Sequence, residues 1–200
     1  TRLFHIKNTQ KEKELNILGS TAIEDQLQDD VDKIIKAMME TGMKVWMLTG
    51  DKLDTAKNIA ISCKLFEEKM KIYEFKNCEG VKSLQSTLTD IFKQEQFNND
   101  NIKKGILISS DVLEIIFENQ VLLNIFFGIC IKCLSVVCCR VSPKQKAQLV
   151  NLIRIAGNSI TMAIGDGAND VGMISEANVG IGIEGKESKI GRAVQQECRD

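Results

Sequence analysis

Three short polar clusters hold the side chains most able to do chemistry: Thr49-Gly50-Asp51, Pro143-Lys144-Gln145-Lys146 and Asp166-Gly167-Ala168-Asn169-Asp170. Together they offer a hydroxyl, an ammonium and carboxylates, with glycines that let backbone amides come close to a ligand. That inventory suits a phosphoryl group held with Mg²⁺. A hydroxyl and amides donate to phosphoryl oxygens, lysine offsets their charge, and carboxylates hold a hard cation that keeps part of its water. Taken singly, each cluster is ordinary turn sequence, because Gly-Asp and Asn-Asp are common in loops. Their weight comes from what precedes them, since each follows a stretch that reads as a buried strand.

Those strands alternate with helices. Val31, Ile34, Ile35, Met38 and Met39 recur at helical spacing, and Thr41-Gly42 supplies a stop. Lys44 to Leu48 is an apolar run opening directly onto Thr49, after which Ala56, Ile59, Ala60 and Cys63 restart the helical period. Leu134 to Cys139 reads as a second strand. Beyond it Ser142 is an N-cap, Pro143 fits the first helical position and Gln145 completes a capping box, opening a helix that stops at Gly157-Asn158. Ile160 to Ile164 is a third strand leading into Asp166, followed by a helix over 171–177, and Val179, Ile181 and Ile183 mark a fourth. This order predicts an α/β protein with a doubly wound, mostly parallel sheet and a site at the carboxyl ends of its strands. Residues 67–104 are polar and weakly periodic, and they read as a variable surface insertion with one helix near Leu84 to Phe92.

Composition narrows the function. The chain has 200 residues, 44% hydrophobic and 26% charged, which is globular rather than disordered. Twenty-six basic against 27 acidic residues leave a net charge of -1, which argues against nucleic acid as a partner. The one histidine, His5, rules out most His-dependent mechanisms. Seven cysteines, mostly in apolar runs, read as buried hydrophobes of a reducing compartment. The most apolar stretch, Val121 to Cys139, is broken by Asn124, Lys132 and Ser135, so no membrane span is expected.

With these elements in place, the motifs LTGDK at 48–52, RVSPKQK at 140–146 and AIGDGANDVGMI at 163–174 resemble the phosphorylation domain of P-type ATPases, which has a Rossmann-like, haloacid-dehalogenase-like fold. The runs LGSTAIEDQLQDDV at 18–31 and CCRVSPKQKA look most like the phospholipid-transporting flippase branch, type IV. The resemblance covers residues 15–66 and 104–196. It implies 1–18 as a hinge or N-terminal helix region and 19–200 as the C-terminal part of the phosphorylation domain. By the resemblance, Thr49 donates to the transferred phosphoryl group, Gly50 admits it, and Lys146 neutralises its oxygens. Asp166 and Asp170 bind Mg²⁺, Asn169 completes the phosphate environment, and Asp51 and Arg140 meet ATP. It further implies a cytosolic domain of an integral membrane ATPase with phospholipid as substrate and an accessory β-subunit as partner.

The chain departs from the family pattern in one large respect. The aspartate that attacks ATP lies in a DKTGT sequence, and none occurs between Thr1 and Asp200. The expectation is therefore a sheet missing its central nucleophile strand, between the strand ending at Thr49 and the one ending at Gly165, and a piece inactive alone. The branch's usual DGxSL-like stretch is replaced by Ile108-Ser109-Ser110-Asp111-Val112-Leu113. Alternatives are a flippase-like regulatory module without pump activity, such as one fused to a guanylyl cyclase, and a cation-transporting P-type ATPase. Two weaker motifs read as packing: the Cys130-Ile131-Lys132-Cys133 spacing, with no second pair, and Gly180-Ile-Gly-Ile-Glu-Gly185, whose glycines fall inside the fourth strand.

Overall fold

The computed structural model of the chain describes residues 19–20, 27–76, 80–97 and 102–183. The expectations for His5, the 1–18 region and the residues beyond 183 lie outside these. The element order is α1 (Val31–Glu40), β1 (Val45–Leu48), α2 (Leu53–Ser62), β2 (Lys71–Phe75), α3 (Val81–Phe97), β3 (Lys104–Ser109), α4 (Ser110–Glu118), α5 (Gln120–Cys130), β4 (Ser135–Cys139), α6 (Pro143–Ala156), β5 (Met162–Gly165), a short 3₁₀ turn (Ala168–Asp170), α7 (Val171–Glu176) and β6 (Val179–Gly182).

Four strands form one parallel sheet in the order β1-β4-β3-β2, while β5 and β6 pair in parallel as a second sheet. Because side chains alternate along a strand, each sheet residue commits to one of two faces. Ile106, Ile108, Val136 and Cys138 join Leu113, Leu122 and Phe126 of α4 and α5 in one core. Leu107, Val137 and Cys139 join Ala56 and Ala60 of α2 and Met39 of α1 in the other. Helices thus cover both faces, the doubly wound arrangement expected from the sequence. Trp46 is half-buried against the first core.

Local signals act as read. Ser142 accepts from the Gln145 amide at 3.3 Å, and the Ser142 amide donates to Gln145 Oε1 at 2.9 Å, so the α6 capping box is complete. The positive φ at the end of α6 falls on Asn158 (φ 44) instead of Gly157 (φ -84), and Gly42 takes φ 88 after α1. A Cβ on Gly180 would lie 2.6 Å from Ile174 Cγ2, which accounts for that glycine by close packing. Cys130 and Cys133 sit in the core.

Two findings differ from or extend the sequence reading. Residues 67–104 are not a surface insertion. They contribute β2, which pairs with β3 as the far edge of the sheet, and α3, longer than expected, with Tyr73, Phe75, Leu84 and Leu88 in the main core. The expected break in the sheet is present. Among the described residues no strand lies between β1 and β5, and each pairs on one side only.

Candidate functional site

The exit of β1 is folded onto the exit of β4. The Thr49 amide donates to the Cys138 carbonyl at 3.0 Å and continues the ladder by one step. The chain then turns: the Asp51 amide donates to Thr49 Oγ1 at 3.1 Å, and that hydroxyl donates to Asp51 Oδ2 at 2.8 Å. From the β4 side, the Arg140 amide donates to the Asp51 carbonyl and the Val141 amide to the Thr49 carbonyl, both at 3.1 Å. Arg140 closes this crossing with φ 55, a backbone conformation uncommon for a residue with a side chain and concentrated at functional sites. Thr49, Asp51 and Arg140 therefore form one unit. Asp51 and Arg140 are exposed, and Gly50 has open space where a Cβ would stand.

A second unit joins α6 to the β5 exit. Lys146, one turn into α6, places Nζ 2.7 Å from Asp170 Oδ1, with each side chain 12% exposed. The other oxygen, Oδ2, accepts from the Gly167 amide at 3.4 Å. Gly165 makes room for this: a Cβ there would stand 2.4 Å from Asp170 Cβ and 2.7 Å from its Oδ2. Gly165 is thus required by a close approach that its place at a strand exit does not by itself announce. Asp166 and Asn169 are exposed and make no hydrogen bond or ion pair among the described residues.

The two units meet through packing. Leu48, the last residue of β1, packs against the small core of Ala163, Met173 and Ala177, with Val150 of α6. No hydrogen bond joins Thr49 to Lys146, Asp170 or Asp166 among the described residues. A third loop enters the same edge: Gln145 Nε2 donates to the Ser110 carbonyl at 3.1 Å, tying the start of α6 to the exit of β3. The signal for that loop was present in Ile106-Leu107-Ile108 followed by Ser109-Ser110-Asp111, the same apolar-run-then-turn pattern as at Thr49.

For Mg²⁺ the two proposed ligands differ. Asp170 is committed to an ammonium and an amide, whereas the Asp166 carboxylate has no partner among the described residues. No group of three or more His, Cys, Asp or Glu residues able to hold a metal occurs among the described residues. One free carboxylate beside a phosphoryl group still suits Mg²⁺, which keeps several waters and takes substrate oxygens as ligands.

No family model matches the chain. It is 42% identical over 195 residues to a phospholipid-transporting ATPase of Schizosaccharomyces pombe, 40% over 202 residues to the phospholipid-transporting ATPase DNF1 of Saccharomyces cerevisiae, and 37% over 203 residues to the human phospholipid-transporting ATPase IG. Each match covers 89% of the chain and 14%, 13% and 18% of the respective relative, so the chain spans less than a fifth of their length.

Proposed function

The chain belongs, as one segment, to the type IV P-type ATPase family, and from that premise we propose that it is the part of a cytosolic phosphorylation domain that surrounds the phosphorylated aspartate without supplying it. In this reading an aspartate on a segment outside these 200 residues attacks the γ-phosphorus of ATP and ADP leaves. Water then cleaves the acyl phosphate, and the cycle moves phospholipid between leaflets. The observation that carries the reading is the Lys146–Asp170 pair seated over Gly165, which fixes an ammonium beside the β5 exit where a phosphoryl group needs its charge offset.

Each remaining group has a part. The Thr49 hydroxyl, held in its turn by Asp51, donates to a phosphoryl oxygen. Arg140, on its strained backbone, and Asp51 face the nucleotide, while Gly50 leaves space for it. Asp166 holds Mg²⁺, which when bound withdraws charge from the phosphoryl oxygens, and Asn169 adds a donor nearby. The aspartyl-phosphate, the accessory subunit and the phospholipid substrate all belong to this proposal.

The test is phosphoenzyme formation from radiolabelled ATP in the full-length protein. Lys146→Gln and Asp166→Asn should each lower acid-stable label by about 100-fold or more, with fluorescent-lipid transport falling in parallel. Undiminished labelling in either variant would remove that residue from the site, and labelling of the 200-residue chain alone would overturn the reading.

A further inference from the structure

At the amino ends of β1, β3 and β4, opposite the edge that carries Thr49 and Arg140, lies a cavity of about 460 Å³. Five lysines and two glutamates line it. Three of the lysines are matched: Lys103 by Glu67 at 2.7 Å, Lys104 by Glu95 at 2.7 Å, and Lys36 by Glu40 at 3.8 Å. The other two, Lys44 and Lys132, have no carboxylate within ion-pairing distance among the described residues.

These two cations are neighbours. The Lys44 ammonium, just before β1, donates to the carbonyl of Ile131, the residue before Lys132 in the turn between α5 and β4. Desolvation lowers the pKa of Lys44, the Cys133 and Cys130 thiols act in the opposite direction, and repulsion from Lys132 lowers it again. Among the described residues the exposed Lys44 ammonium thus meets a neutral carbonyl and no carboxylate, with the Lys132 charge acting on it. Met39, Ile102 and Leu134 add apolar wall to the same cavity.

We propose that this cavity binds a phosphate monoester, its dianionic phosphate between Lys44 and Lys132 and its organic body against Met39 and Leu134. A dianion matches two adjacent monocations and relieves their repulsion. The volume exceeds what inorganic phosphate needs and lies within the usual range for small-molecule sites, about 300–1,000 Å³. The same chemistry is offered by a soluble phosphate ester and by the headgroup of phosphatidic acid. The site is remote from the phosphoryl-transfer edge, and the proposal stands whether or not the flippase reading holds.

The experiment uses the full chain in two arms. Amide NMR titration with glycerol 3-phosphate should shift Ile131, Lys132 and Cys133 saturably. Sedimentation with phosphatidylcholine vesicles, with and without phosphatidic acid, reads the lipid source. The double variant Lys44→Gln/Lys132→Gln should weaken the response at least about tenfold, while Lys82→Gln/Lys93→Gln, two exposed lysines on α3, should leave it unchanged. A response to the soluble ester assigns the site to free phosphate esters, and one only to phosphatidic acid vesicles assigns it to a headgroup; either supports the proposal. No saturable response in both arms, or equal loss in the control variant, overturns it.

Discussion

Lys146 and Asp170 were visible in the sequence as chemical types, but their partnership was not, because 24 positions separate them and only the fold brings them to 2.7 Å. Removing the ammonium leaves a mostly buried carboxylate uncompensated, which costs more than the pair contributes. Lys146→Ala is expected to destabilise the chain by about 2 kcal/mol in urea unfolding. Asp166→Asn, at an exposed and unpartnered position, should shift it by less than about 0.5 kcal/mol. Gly165→Ala drives a methyl into Asp170 and should cost about 1–3 kcal/mol. The five described cysteines are buried as read, Cys78 and Cys198 lying outside the described residues, and burial pushes Cys133 up to about 12 and Cys139 to about 11 and also raises Cys130 and Cys138. At pH 8 these four thiols should resist iodoacetamide in the native chain and react only with denaturant present, with mass spectrometry as the readout. Rapid native labelling of Cys133 would contradict that.

At the scale of elements, β1, β4, β5 and β6 were legible in the sequence, whereas β3, buried along its length, and the edge strand β2 were not. The central apolar run of β4 and the capping box of α6 announce themselves. β2 instead alternates exposed Lys71 and Glu74 with buried Tyr73 and Phe75 over only five residues, too few for a clear period. On α3 the inward stripe of Leu84, Leu88 and Ile91 continues at Glu95, so a charge stands where a core position would be apolar. The fold compensates that charge: Tyr73 Oη donates to Glu95 Oε1 at 2.6 Å and Lys104 pairs with Oε2 at 2.7 Å, binding β2, α3 and β3 together. Burial raises the pKa of Glu95, but the hydrogen bonds from Lys104 and Tyr73, with the Lys104 charge, outweigh it and leave the folded value below the ordinary one. The unfolded chain therefore holds the proton more tightly. The stabilisation from Glu95 is present above the unfolded pKa of about 4.3 and is lost as pH falls through the folded value. Urea midpoints measured from pH 6 to pH 3 should decline across that window, and Glu95→Gln, less stable at pH 6, should decline less. Parallel curves would mean that the carboxylate does not bind the three elements as argued.

The whole molecule is governed by the break between its two sheets, which sequence reasoning anticipated because the motif strands were present and the strand expected between them was not. β1 keeps one edge paired to β4 and leaves the other without a strand among the described residues, and β5 is paired only to β6. Apolar side chains mark the same fault. Met162, Ile164 and Val179 are each 45 to 48% exposed on the small sheet, and all four β1 residues are only half-buried. An unpaired edge flanked by exposed apolar surface favours strand addition, which satisfies backbone groups and buries that surface together. When the chain is joined to the segment proposed to bear the aspartate, the β1 and β5 amides facing the gap should slow in hydrogen exchange by about 100-fold or more, since their opening would then require breaking a continuous sheet. β3, already between β2 and β4, should change far less in relative terms, which separates local closure from a general gain in stability. Unchanged exchange at β1 in the joined protein would mean that the break is native to the fold, and the Thr49 and Lys146 units would then have no strand between them to present a nucleophile to both.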